Sequence, residues 1–398
     1  MSFNGHVVID MDSHVREYED VDRTYREYID PEYRESFELL SQAVAKRQEA
    51  GRPTALFMHP EAIIEPSDES RPLGVYDTFG LLPHQSRNRS KEEARERSGK
   101  EPVRRDVNWD PSIRLEDMDR AKIDKSVMFP TFEASYCALK DVGFEGALHR
   151  AYHRYMTTYC SESEGRLRWA ATATLRDVAA SVSEVTHWAE RDQNMVGVLV
   201  PPSCPDGRLL DNPNLHPLYE RCQDLDLPIL VHGGVLRPPY TAGATELNNS
   251  GFLLRAVYQP WAGMTAVGAL IGGGVFDLFP KLRAGVFETG AGWMPWLIEQ
   301  LDDGYGSRPS LVPNLRREPT EILEDGRLFH AVEPGERYLK HCVEALGEDV
   351  WLFSTDYPHT GSPWPDGVSH ITDRAELSES AKTKMLGSNA LRLCPRLA

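Results

Sequence analysis

The chain has 398 residues and a formal net charge of −17, with 40% hydrophobic and 26% charged residues, which suits one large α/β barrel or two medium domains. So acidic a surface argues against nucleic acid or an anionic membrane as the main partner. Six cysteines with no Cys-x-x-Cys pairing exclude a disulfide framework and a thiolate zinc site, and point to a reduced, cytoplasmic setting.

Met1 to His6 is short and polar, and no signal peptide is expected. Val7-Val8-Ile9 reads as a buried strand, broken off by Asp10-Met11-Asp12-Ser13-His14. In an extended chain residues two apart share a face, so Asp12 and His14 project together from the strand end. Tyr18 to Tyr33 reads as a helical excursion. Residues from about 45 to 110, with Pro53, Pro60, Pro66, Pro72, Pro83 and a charge run from Lys91 to Arg105, read as an inserted, lid-like segment within a single domain spanning 1–398.

From Arg114 the pattern becomes regular. Arg114 to Arg120 looks helical and Lys125 to Pro130 looks like a strand. A helix from about Gly146 to Glu164 leads to the strand Leu167 to Leu175. Next come a helix to Asp192, the strand Val196 to Val200, a helix from His216 to Leu225 and the strand Pro228 to His232. The most apolar stretch, Ala262 to Phe279, is broken by Gly268, Gly272, Gly273, Gly274 and Asp277 and reads as a buried helix, not a membrane span. The strand Arg283 to Glu288, a helix from Trp293, a weaker strand Leu328 to Val332, a helix from Glu336 to Leu346 and the strand Val350 to Asp356 complete the chain. Eight strands alternating with helices are the count of a (β/α)8 TIM barrel. The open doubly wound alternative lacks a glycine-rich phosphate loop after the first strand.

In such a barrel the C-terminal strand ends converge on one site. Strand one ends in Asp12 and His14, strand five in His232, strand six in Glu288 and strand eight in Asp356. Singly, each carboxylate reads as a helix cap and each histidine as a hydrogen-bonded core residue. Together, three carboxylates and two histidines need a cation to offset their repulsion, which points to a metal site.

These residues, with Glu288-Thr289-Gly290-Ala291-Gly292-Trp293, Ser354-Thr355-Asp356-Tyr357-Pro358-His359 and Arg114-Leu115 before Asp117-Met118-Asp119, resemble the amidohydrolase-related family of metal-dependent barrels, which includes the aminocarboxymuconate-semialdehyde decarboxylase type. The resemblance implies that Asp12, His14, His232 and Asp356 are metal ligands. Glu288 stands where the decarboxylases place a histidine. The constellation also resembles a subgroup of TIM-barrel non-haem diiron monooxygenases of bacterial diterpenoid biosynthesis. That likeness implies two iron ions held by Asp12, His14, His232, Glu288 and Asp356, with Glu17 and His359 as further ligands or hydrogen-bonding neighbours. It also implies a bulky apolar, coenzyme A-linked substrate of antibiotic-type secondary metabolism, hydroxylated with O2 and an external electron donor. The alternative is a mono- or binuclear metal-dependent hydrolase or non-oxidative decarboxylase, in its mononuclear form with one zinc or manganese ion, in which Glu288 is general base and Asp356 ligand or proton acceptor. Either reading makes a small molecule the main partner and is compatible with a homo-oligomer. Trp261, Trp293 and Trp364 could wall the pocket, and Arg16 and Arg255 could meet a carboxylate or phosphate.

Overall fold

The computed structural model describes residues 3–17, 20–49, 104–131, 139, 141–204, 206–233, 253–359 and 361–398. The chain forms the expected barrel. In order, its elements are β1 (Ile9–Val15), α1 (Arg34–Glu49), α2 (Pro111–Ala121), β2 (Lys125–Pro130), α3 (Val142–Cys160), β3 (Leu167–Thr172), α4 (Val178–Arg191), β4 (Met195–Val200), α5 (His216–Asp224), β5 (Ile229–His232), α6 (Gln259–Gly272), α7 (Val275–Leu278), β6 (Ala284–Phe287), α8 (Met294–Ser307), α9 (Pro319–Glu324), β7 (Leu328–Val332), α10 (Leu339–Leu346) and β8 (Trp351–Phe353), followed by short helical turns. The strands pair in parallel in sequence order, β1 to β8. The seam between β8 and β1 closes through the residues just past β8: Asp356 N donates to Asp12 O at 2.9 Å, His14 N to Tyr357 O at 2.6 Å, and Ser13 bridges Tyr357 in parallel.

Strand side chains are buried on both faces, which is why these segments read as near-continuous apolar runs. Ile9, Val127, Phe129, Ala170, Val196, Leu230, Phe287, Phe329, Ala331 and Leu352 fill the barrel interior. Their neighbours, such as Met128, Trp169, Val231 and Trp351, pack outward into the helical layer. Ala390, Leu393, Cys394 and Leu397 join the interior cluster as a floor. Lys125, at the start of β2, donates to Leu397 O, and Arg283, just before β6, donates to Leu393 O, so this floor lies at the N-terminal strand ends, leaving the C-terminal ends for chemistry.

Carboxylates cap several helices. Asp110, ahead of Pro111, accepts from Ser112 N at 2.9 Å; Asp141 accepts from Phe144 N at 3.1 Å; Asp177 accepts from Ala180 N at 3.0 Å. The apolar stretch near 262–279 is two helices, because Gly274 adopts φ 74° between them. Among the described residues no helix is long and apolar enough to cross a membrane. The insertion expected at about 45 to 110 lies mostly outside the described residues; its described edges are α1 and a short helical turn, Arg105–Asn108.

Candidate metal centre

A one-residue bulge in β1 builds the first half of the site. Asp10 pairs with Ser126 and Ser13 with Met128, so β1 spends one more residue than β2 between those points. With Ile9 facing the interior, unbroken alternation would turn Asp12 and His14 outward; the extra residue re-aims them into the mouth. The bulge is held from outside. The Asp10 carboxylate accepts from Thr355 N at 3.0 Å, from Thr355 Oγ1 at 2.6 Å and from Asp12 N at 3.3 Å. Arg114, fully buried on α2, donates to Ser13 Oγ at 2.9 Å and to His14 O at 2.6 Å, with its guanidinium over the Tyr357 ring. The His14 ring is turned by its Nδ1, 3.0 Å from Pro130 O.

The other half comes from β5, β6 and β8. His232 follows Leu230 on the inward face of β5. Glu288 and Asp356 are reached differently, at φ 53° and 54°, a left-handed backbone rare for non-glycine residues. At Glu288 this turn matters most, because Phe287 before it already points inward and regular alternation would send the next side chain out. Gly233 permits the packing beside it: a Cβ there would lie 2.6 Å from Thr289 Cγ2 and 3.1 Å from Glu288 O.

These groups converge. His14 Nε2 is 3.0 Å from Asp12 Oδ1 and 3.4 Å from Asp356 Oδ1. His232 Nε2 is 3.4 Å from Asp12 Oδ1 and 3.5 Å from Glu288 Oε2. His359 stacks on the His14 ring at 4.2 Å between centroids, and its Nδ1 lies 2.5 Å from Asp356 Oδ1. One set of ligand atoms from Asp12, His14 and His232, and a second from His14, Asp356 and His359, each lie within 4.8 Å of one another. The fit to a cation rests on Asp12 Oδ1, His14 Nε2 and His232 Nε2, which are buried against one another with no well-directed hydrogen bond. Buried polar atoms left unpaired are costly, and three aimed at one point, as nitrogen and oxygen donors, match a divalent metal.

The electrostatics of these side chains agree. Burial would raise the Asp12 carboxyl, but His232 and His14 hold it well below the usual range. Burial lowers His232, yet Asp12, Glu288 and Asp356 push it up to about 9. Glu288 is pushed up to about 7 by burial and by Asp356, and Asp356 to about 7 by burial, with Asp12 and Glu333 adding to it. Burial lowers His359 to about 3. Like charges thus crowd a buried space that a cation would relieve.

Of the residues expected from the sequence, Asp12, His14, His232, Asp356 and His359 fall into the two candidate ligand sets, and Glu288 borders them through His232. Glu17 lies outside both sets; its buried carboxylate accepts from Thr131 N at 2.8 Å. His359 Nε2 is 2.9 Å from Thr131 Oγ1. Trp364 packs on Tyr357 and donates to Asp117 O at 3.1 Å, Trp293 donates to Thr289 O at 2.8 Å, and Trp261 is part exposed. Arg255 is exposed, with Nη1 3.8 Å from Glu288 Oε1. Three residues of the site have no role in the sequence reading: Asp10 and Arg114, which brace the bulge, and Glu333, just past β7. Glu333 continues the inward alternation Phe329, Ala331 by one more step, a register that shows only once β7 is placed in the sheet. A groove of about 590 Å³ between α8 and α10, lined by Trp296, Tyr338 and His341 among others, contains none of the candidate ligands.

A family model described as Amidohydrolase matches residues 9–396. The chain belongs to the amidohydrolase family. It is 25% identical over 289 residues to 2-amino-3-carboxymuconate-6-semialdehyde decarboxylase of Dictyostelium discoideum, covering 71% of this chain and 76% of that one. Among solved structures it is similar to an amidohydrolase from Mycobacterium avium subsp. paratuberculosis, at TM-score 0.70 and 21% identity over 99% of this chain and 100% of the other. It is also similar to a 5-carboxyvanillate decarboxylase from Novosphingobium aromaticivorans with bound manganese, at TM-score 0.67 and 19% identity over 98% of this chain and 97% of the other.

These family relatives correct the expectation of an iron-dependent oxidoreductase. The named activities are decarboxylations, which release CO2 without consuming an oxidant, so a diiron monooxygenase of antibiotic biosynthesis is not what the chain resembles. The two irons and the external electron donor that such a reaction needs lose their basis with it, and the relative with a metal carries manganese. The relatives' substrates are free carboxylic acids, not coenzyme A conjugates. The sequence expectation leaned on a surplus of carboxylates and histidines near the strand ends; in the structure Glu17 accepts from Thr131 N, and His359 contacts both Asp356 and Thr131.

Proposed function

We propose that this amidohydrolase is a non-oxidative decarboxylase of a small carboxylic acid, dependent on one divalent ion, manganese or zinc. The observation that carries the reading is the convergence of Asp12 Oδ1, His14 Nε2 and His232 Nε2, buried and unpaired, beside Asp356 and Glu288. In this reading Asp12, His14, His232 and Asp356 hold the ion, and His359 orients Asp356 through their short contact. When bound, the ion would polarise a substrate oxygen and offset the charge that develops as the carbon–carbon bond weakens.

Glu288 is the proton-transfer group. Burial and Asp356 favour its protonated form near neutral pH, and it lies at the edge of the ligand set. Its proton goes to the substrate carbon, the bond to the carboxyl group breaks, and CO2 leaves; solvent then restores the proton. Arg255, beside Glu288, supplies a cation to a carboxylate entering the mouth. A second reading, hydrolysis of an amide or ester, is favoured by the same position of Glu288, which could instead accept a proton from water.

The test combines metal analysis with product detection. One manganese or zinc per chain and CO2 release from a panel of hydroxylated aromatic and unsaturated dicarboxylic acids, with O2 and reductant excluded, are expected. Hydrolysis of amides or esters with no CO2 from any acid would replace the first reading with the second. Glu288→Gln should lower the decarboxylation rate about 10²–10⁴-fold while leaving metal content unchanged.

A further inference from the structure

Glu288 reaches the centre only through an unfavourable backbone turn. At φ 53° it sits in the left-handed region, and Gly290, two residues on, follows at φ 69°. A non-glycine residue keeps such a conformation only where its surroundings over-determine it. Here the hold is shared among three elements. The entrance of the turn is tied to the end of β5, where Gly233 N donates to Phe287 O at 3.0 Å. Thr289 is gripped twice: Trp293 Nε1 donates to its carbonyl at 2.8 Å, and its hydroxyl lies 3.0 Å from His330 Nε2 on β7. His330 Nδ1, 2.7 Å from Ala331 O, is the donor nitrogen of that ring, which leaves Nε2 to accept from the Thr289 hydroxyl.

The exit of the turn is held from the β7 side by one carboxylate. Glu336 accepts from Ala291 N with both oxygens, at 3.1 and 2.9 Å, and its Oε1 also accepts from Glu333 N at 3.0 Å. Carboxylate bonds to backbone N–H groups are charge-assisted and roughly twice as strong as neutral ones. Glu336 is itself fixed, because Arg374 Nη2 donates to Glu336 O at 2.6 Å and to Pro334 O at 2.8 Å. One half-buried side chain thus staples the loop after β6 to the loop after β7, gripping the chain just downstream of Glu288.

We propose that Glu336 is the positioning residue for Glu288: by clamping Ala291 it keeps the turn closed and the Glu288 carboxyl beside His232, where the proton is delivered. The inference rests on the decarboxylase reading, in which Glu288 is the proton-transfer group. Glu336 belongs to neither candidate ligand set, so it acts through the geometry of the turn. A proton donor moved by about 1 Å from its acceptor loses rate out of proportion to the shift, while substrate binding made elsewhere in the mouth is spared.

The experiment pairs rates with crystal structures of the manganese-loaded protein: wild type, Glu336→Ala and Glu336→Gln. With the acid of the panel above that wild type turns over fastest, E336A should lower kcat for CO2 release about 10–100-fold and leave KM and metal content within about two-fold. E336Q, which keeps one acceptor oxygen for Ala291 N, should recover part of that rate, and it carries the test if E336A fails to fold. In a Glu288→Gln background, adding E336A should change the residual rate by less than about two-fold, because residues that act as a unit are not additive. The E336A crystal structure should show the Glu288 carboxyl displaced with the eight strands in place. An equal loss of rate in both backgrounds, or Glu288 unmoved in that structure, overturns the positioning role and leaves the decarboxylase reading standing. CO2 release from no acid of the panel by wild type overturns the decarboxylase reading instead, and the crystal structures still decide whether Glu336 holds Glu288.

Discussion

Asp12 and His232 form a pair whose two members mean different things when one is removed. Replacing His232 with alanine leaves Asp12 buried beside Glu288 and Asp356 without its strongest positive neighbour. Metal affinity should fall by more than the roughly 10–100-fold that loss of an outer hydrogen-bond partner costs. The barrel should remain folded, since the side chain lies at the C-terminal end of β5 and its Nε2 faces only the other candidate ligands. Plasma emission analysis of purified His232→Ala, set beside its far-UV circular dichroism, checks both parts. Undiminished metal content would remove His232 from the ligand set. His359→Ala should act more mildly, because Asp356 keeps its backbone bond to Asp12 and loses only a side-chain contact.

At the scale of elements, the bulge in β1 and its two braces decide where the first ligands point. Arg114 is the stronger brace, because it holds the Ser13 hydroxyl and the His14 carbonyl from one buried guanidinium. Arg114→Ala takes this donor from the His14 carbonyl and the Ser13 hydroxyl and the cation from the Tyr357 ring, and should cost about 3 kcal/mol or more, read as a lower midpoint in urea together with loss of bound metal. Gly233→Ala tests the β5–β6 junction: its methyl would press on Thr289 and the Glu288 carbonyl, at a cost of about 1–3 kcal/mol and with Glu288 displaced. The element pattern was legible because strand and helix alternate with clear apolar periods, and even the weakest strand, Leu328–Val332, lies where its residues suggest. The candidate ligands at the ends of β1, β5 and β8 stood out because polar residues end apolar runs. The bulge was not, since an extra residue in a strand leaves no mark in the apolar pattern. Glu333 was hidden by its neighbours: Glu333-Pro334-Gly335-Glu336 reads as a turn, and the inward register that singles it out depends on knowing where β7 lies in the sheet.

For the whole molecule, the buried carboxylates couple folding to pH and to metal. Asp10, Glu288, Glu333 and Asp356 are each raised to about 7, chiefly by burial. A carboxyl raised in the folded state binds its proton more tightly there than in the unfolded chain. Its contribution is therefore fully present below the unfolded value of about 4 and is lost as pH rises through about 7. His232, raised to about 9, loses its contribution between its ordinary value and about 9, in the same direction. The histidines that burial lowers, His14, His149, His330 and His359, act in the opposite direction, but only below their ordinary value of about 6.5. Metal-free protein should thus melt at a lower temperature at about pH 8.5 than at about pH 6.5, and added manganese should raise the melting temperature more at the higher pH. Scanning fluorimetry on chelator-treated protein reads both trends; a metal-free melting temperature that climbs over this range would contradict them.

The seam between β8 and β1 gives the centre a mechanical meaning. Ser13 and Tyr357, which bridge it, are 344 positions apart in the chain, and the candidate ligands sit on both sides of the join. An ion held by Asp12 and His14 from one end and Asp356 from the other works as a clasp on a ring made of nearly the whole polypeptide. The entropy lost in closing so long a loop grows only with the logarithm of its length, so a single clasp of this kind stabilises closure out of proportion to the few atoms it joins. The amide protons of His14 and Asp356 cross the join and should report its opening: their exchange with deuterated solvent should quicken when metal is withdrawn, while amides in the middle of β4 keep their pace.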